Sequence, residues 1–158
     1  MADNPVERVG YQLRMATQAL SQQVERALRR FGLTQAQLAA LALLELESDE
    51  QQEDEGASGA QLSQRAGVTA ASMSSALAGL EERGLVHRTP HPTHGRVIVV
   101  TITRKGREVL KRAQRATARV EDRALAGVPA EDRRALQRIV LRMRENLDLP
   151  TPDVGRTE

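Results

Sequence analysis

The chain has 158 residues, enough for one compact domain or for a small module with long helical extensions. Hydrophobic residues make up 40%, yet Tyr11 and Phe31 are the only aromatics and cysteine is absent. A core must therefore come from Leu, Val, Ala and Met, and disulfide or thiol chemistry is excluded. The formal net charge of +2 is too small to argue for a nucleic-acid partner. Its distribution says more: residues 48–55 are strongly acidic, while Arg83, Arg88, Arg96, Arg104, Lys105 and Arg107 gather further along.

The first helix is predicted over 6–30. Val6, Val9, Leu13, Ala16, Leu20, Val24, Ala27, Leu28 and Phe31 recur there at the three- and four-residue spacing of one helical face. Gly32 supplies a left-handed stop. Thr34 and Gln37 have capping-box spacing and open a second helix to about residue 46. That helix is apolar nearly all round (Leu38, Leu41, Leu43, Leu44, Leu46), which places it in the middle of the fold. Residues 48–57 carry nothing worth burying and read as a flexible loop, with a functional acidic segment as the alternative.

Ser58 and Gln61 repeat the capping spacing and start a short helix that ends near Ala66. After the tight Gly67-Val68 turn, Thr69 caps a helix over 70–83, and Gly84 stops it. Met73, Leu77 and Leu80 face inward; Ala71, Ser72, Ser75, Ala78 and Gly79 face outward. Residues 85–89 and 97–102 are rich in β-branched side chains and read as two strands, joined by the turn residues Pro90 to Arg96. Thr103 caps a long helix to about 126, with Val109, Ala113, Ala116, Val120 and Ala124 as its stripe. Pro129 opens a last helix, with Leu136, Ile139, Val140, Met143 and Leu147 facing in. Pro150 and Pro152 end it. No segment has the apolar length of a signal peptide or a membrane span, so a soluble, cytoplasmic protein with no membrane partner is expected.

Two short helices around a tight turn, followed by a basic-tipped ribbon, make residues 58–106 a complete winged helix-turn-helix. Such a unit presents its second helix to DNA. The fold class is mainly α with a small β-wing, in the order α-α-α-α-β-β-α-α, and helices flank the unit on both sides. Residues 1–33 form an N-terminal dimerisation helix, 34–106 a DNA-binding lobe, 107–149 the C-terminal dimerisation helices, and 150–158 a flexible tail. The stripes of the terminal helices exceed what so small a lobe can cover. Pairing through an isologous two-fold interface would cover them, with Val9, Leu13, Leu20, Leu136, Ile139, Val140, Met143 and Leu147 as the residues at or beside it.

The candidate DNA contacts are Thr69, Ala71, Ser72, Ser74 and Ser75 on the second helix, with Arg88, Arg96 and Lys105 outside it. Serine hydroxyls reach phosphates or base edges, and alanine methyls pack on thymine methyls. A merely solvated serine face is the competing reading, and the adjacent ribbon weighs against it. Arg96 sits at the ribbon tip, where a guanidinium enters a minor groove or clamps a phosphate. His87, His91 and His94 are poorly spaced for zinc and have no Cys, Asp or Glu nearby to complete a tetrahedral set, so no metal is expected. No nucleophile elbow, P-loop or His-Glu-x-x-His occurs, and neither catalysis nor a cofactor is expected.

The element order, the L-x-x-x-G-L-V of Leu80 to Val86, the wing arginine Arg96 and the T-x-K-G of Thr103 to Gly106 together resemble the MarR family of bacterial transcriptional regulators. The resemblance spans about residues 6–147. It implies a homodimer joined by its first and last helices on a pseudo-palindromic operator in double-stranded DNA, often released by a small phenolic or lipophilic effector. Two positions depart from the family pattern: His94 replaces the usual wing aspartate, and Ser75 replaces a usual basic residue. The function expected is that of a dimeric DNA-binding transcriptional repressor, its two recognition helices entering major grooves about 34–36 Å apart. The alternative is a winged-helix module for nonspecific or architectural DNA binding, or for protein interaction. No effector pocket is legible in the sequence.

Overall fold

The computed structural model describes residues 4–50, 56–91 and 97–147, with Pro5, Asp49 and Glu50 described by backbone alone. The expected tail at 150–158 lies outside the described residues, as do His94 and Arg96, which the sequence places at the wing tip.

Helix α1 (Val9–Leu28) lies between two 3-10 turns, Pro5–Glu7 and Arg29–Phe31, where a single helix over 6–30 is predicted. Tightened turns of this kind are common at helix ends, where the last α-type hydrogen bonds have no partner. Gly32 closes the second turn at φ +61°, a left-handed position that an L side chain rarely adopts. Helix α2 (Gln35–Glu50) opens on the expected capping box: Thr34 Oγ1 accepts from Gln37 N at 3.2 Å, and Thr34 N donates to Gln37 Oε1 at 3.0 Å.

Residues 48–57 are not simply a loop. The α2 helix runs on through 48–50, with Ser48 Oγ donating to Leu44 O at 2.9 Å, and Ala57–Ser58 form strand β1. The acidic end of α2 is anchored by ion pairs: Glu47 pairs with Arg65, and Glu45 with Arg107 at 2.8 Å.

Helix α3 (Gly59–Ala66) begins on the Ser58–Gln61 capping box and ends at left-handed Gly67. Helix α4 (Ala70–Glu82) is capped by Thr69. Strands β2 (Val86–Pro90) and β3 (Ile98–Ile102) pair antiparallel, with Val86 opposite Ile102 and Pro90 opposite Ile98. β1 lies on the other side of β3, with Ala57 opposite Val100, giving the sheet order β1-β3-β2. A two-residue strand with only one buried side chain leaves too little periodicity to read in advance.

Helix α5 (Arg104–Ala124) is capped by Thr103, whose Oγ1 accepts from Gly106 N at 3.0 Å. The T-x-K-G pattern has a packing reason at its glycine. A Cβ on Gly106 would collide with the Leu85 carbonyl oxygen, so this helix start rests directly on backbone. The core gathers Leu28, Leu41, Leu44, Leu62, Met73, Leu77, Leu80, Leu85, Val86, Val100 and Leu110 between the end of α1, α2–α4, the sheet and the first half of α5. Each such side chain contributes roughly 1.5–3 kcal/mol on burial, and three of them, Met73, Leu77 and Leu80, fix the inner face of α4 together with the smaller Ala76.

Helix α6 (Ala130–Asn146) buries no side chain. Leu136, Ile139 and the following Leu147 are 44%, 57% and 66% exposed, and Val140 and Met143 are only half-buried. The expectation that these five face inward fails within one protomer. Arg133 ties the base of α6 to the preceding turn, donating from Nη2 to Leu125 O at 2.7 Å and from Nε to Val128 O at 3.0 Å. Pro129 stands at the N-cap position, just outside the first helical residue. In α5, Ala124 is exposed, one turn past the buried stripe that ends at Val120.

Candidate nucleic-acid interface

One side of α4 is locked and the other is open. Met73, Ala76, Leu77 and Leu80 are buried, whereas Ala71, Ser72, Ser74, Ser75 and Ala78 are exposed. Gly79, predicted to face outward with them, instead faces α2: a Cβ there would sit 2.8 Å from Gln37 Nε2. Gln37 also donates to Ala76 O at 3.4 Å, which seats α4 on α2.

At the start of α4 the Thr69 hydroxyl does two things. Its oxygen accepts from Ser72 N at 3.1 Å and its proton goes to Ser72 Oγ at 3.0 Å. Ser72 is then a hydroxyl whose own proton can go outward, beside the exposed Ser75 one turn on. From Thr69 to Ala78 this open face is uncharged. It can donate to phosphate oxygens or base acceptors, but it has no cation of its own.

The basic residues are arranged differently from one another. Arg88 on β2 is exposed and lies 3.7 Å from Glu81 near the end of α4, a solvated pair of small energetic worth that can open. Lys105 Nζ donates to Arg83 O at 2.7 Å. Its ammonium caps the last turn of α4, at the end opposite Thr69 and Ser72. Sequence reasoning placed Arg83 only among the basic residues near the ribbon. In the fold, its Nη2 donates to Phe31 O at 2.7 Å and its Nη1 to Gly32 O at 2.5 Å, so it bridges the end of α4 to the end of α1. The partners lie more than fifty residues apart, and no local pattern announces them. Among the described residues, no group of three or more His, Cys, Asp or Glu is placed to hold a metal ion.

The dimerisation candidates sit apart from this face. In α1 only Leu28 is buried, and Val9 is 72% exposed, with Leu13 half-buried and Leu20 open to solvent. Together with Leu136, Ile139, Val140, Met143 and Leu147 of the C-terminal helix, they leave two apolar helix faces uncovered in the protomer.

A helix held on a three-helix core, followed by an antiparallel ribbon, defines the class as winged helix-turn-helix. A MarR family sequence profile matches residues 31–97. The HTH-type transcriptional repressor Rv2887 of Mycobacterium tuberculosis is 31% identical over 132 residues, covering 84% of this chain and 90% of that protein. The chain belongs to the MarR family. Among solved structures, that of the M. tuberculosis MarR family protein Rv2887 with salicylic acid is similar at a TM-score of 0.68 and 30% identity, covering 90% of this chain and 99% of the other. The transcriptional repressor CouR bound to a 23-mer DNA duplex is similar at a TM-score of 0.76 and 26% identity, with 90% and 99% covered. Among the described residues, no helix is long and apolar enough to cross a membrane.

Proposed function

We propose that this chain is a homodimeric transcriptional repressor that binds operator DNA through α4 and its wing, and that a small-molecule effector releases it. The observation that carries the reading is the two-sidedness of α4. Four core side chains fix its pose while Ala71, Ser72, Ser74 and Ser75 stay open. That open face, with Thr69 at its head, is the proposed base-reading surface, and Arg88 lies close enough to serve a phosphate. Lys105 is better placed to hold α4 than to touch DNA directly. Arg96 keeps its proposed role at the wing tip; Arg96→Ala should weaken DNA binding by about 1–3 kcal/mol with the dimer intact.

The proposed division assigns 1–33 and 107–149 to dimerisation and 34–106 to DNA, with 150–158 as a tail. The exposed apolar faces of α1 and α6 support the first part. A DNA duplex under one relative of this fold and salicylic acid in another support the operator and the effector. The family is one of regulators, and no catalytic role is proposed.

The test is selection of bound fragments from the source genome, then titration of the recovered duplex against a scrambled one at physiological salt. A specific regulator should favour its own site by about 10³-fold or more, and equal affinities would favour an architectural role.

A further inference from the structure

Where the end of α1 meets α5, a cleft of about 410 Å³ is lined by Arg30, Phe31, Arg112, Arg115, Ala116 and Arg119. Three of its arginines stand at i, i+3 and i+7 on α5, the spacing that brings side chains onto one helical face. Arg30 approaches from the opposite side, with its guanidinium 4.8 Å from the centre of the Phe31 ring. Among the described residues, none of the four guanidiniums is paired with a carboxylate. Among the described residues Arg112 donates to a backbone carbonyl, Glu108 O, at 3.4 Å. Four like charges around one concave space repel one another, and a bound anion relieves that repulsion.

We propose that this cleft is the effector site and that its ligand is an organic polyanion carrying an aromatic ring, with two or more charges of the phosphate kind. The charges would meet Arg112, Arg115 and Arg119, whose planar forks match phosphate oxygens. The ring would lie against Phe31 and the Arg30 plane, over the small floor left by Ala116. A monocarboxylate would leave most of the positive charge unanswered. The volume lies in the range of small-molecule pockets. Phe31 gives the site its route to DNA: its ring lines the cleft while its carbonyl accepts from Arg83 at the end of α4. A ligand that prefers one placement of Phe31 thereby biases the pose of the recognition helix.

This inference deepens the repressor reading, and its test separates the two. The full-length protein is titrated calorimetrically, without DNA, with ADP (ring and polyanion), tripolyphosphate (charge alone) and benzoate (ring and one charge). ADP should bind about tenfold or more tighter than benzoate, since each lost charge-assisted contact is worth about that factor. It should also bind tighter than tripolyphosphate, which lacks the ring that lies on Phe31 and Arg30; tripolyphosphate binding as tightly as ADP would remove the ring from the proposal. Arg115→Gln with Arg119→Gln should lose about tenfold or more for ADP while keeping the circular dichroism spectrum and melting temperature, because both side chains are exposed. ADP should also weaken binding to the selected operator. Benzoate binding as tightly as ADP, or an unaltered ADP affinity in the double variant, would overturn the site and leave the DNA reading standing. If the double variant instead loses DNA affinity and salt dependence with no ligand present, the arginines belong to the DNA backbone and the proposal is wrong.

Discussion

The guanidinium of Arg83 donates to the carbonyl oxygen of Phe31 at 2.7 Å, fastening the end of the recognition helix to the turn that ends α1. Lys105 adds a second tie, from the start of α5 to the carbonyl of Arg83 itself. The pose of α4 thus depends on contacts from two distant parts of the chain, the end of α1 and the start of α5.

Arg83→Ala removes both donors and leaves the Phe31 and Gly32 carbonyls to water. A loss of about 1–3 kcal/mol in folding stability is expected, with Arg83→Lys recovering part of it. Urea unfolding at one fixed protein concentration measures this, since dimerisation makes the midpoint concentration-dependent. An unchanged midpoint would mean that the tie contributes nothing net.

Gly106→Ala places a methyl group on the Leu85 carbonyl oxygen, and backbone cannot yield as a flexible side chain would. Destabilisation of about 1–3 kcal/mol is expected from forcing α5 off the strand start. Thermal unfolding checks it. The control is Gly10→Ala, where nothing lies within 4 Å and α1 should tolerate the methyl or gain from it.

The uncharged face of α4 makes a prediction about salt. Ser75→Arg adds a cation beside the proposed groove contact, so affinity for any duplex should rise and the slope of log K against log salt should steepen by about 0.9. Glu81→Gln should act in the same direction, because it removes a negative charge and frees Arg88 from its 3.7 Å pair. Fluorescence anisotropy across a salt series reads both. A flat response for Ser75→Arg would place that position away from the phosphates.

Much of this architecture was legible because the chain marks its own helix ends. Thr34, Ser58, Thr69 and Thr103 each cap the helix they were expected to cap, and Gly32, Gly67 and Gly84 all take positive φ. The outer serines of α4 were also readable, since Met73, Leu77 and Leu80 fix the inner face by spacing alone. Other features depended on distant partners. Gly79 packs on Gln37, Lys105 reaches Arg83, and the arginine cleft joins Arg30 to a helix some eighty residues later; no periodicity encodes such meetings. The stripe of α6 is legible as apolar, yet the protomer leaves it uncovered, because a periodic pattern records an apolar face and not what covers it.

The pairing of two protomers is the premise on which the DNA geometry rests. Leu136 and Ile139 are exposed in the protomer, so replacing both with Asp should leave the fold of each chain intact while breaking the interface. The decisive measurement is light scattering of this variant beside its affinity for the selected operator, compared with the unaltered protein. The expected result is a dimer that becomes a monomer with native helix content and operator affinity reduced by about 10²-fold or more, since one recognition helix no longer recruits the other. A variant that binds the operator as tightly as the unaltered protein while running as a monomer would contradict the two-fold arrangement.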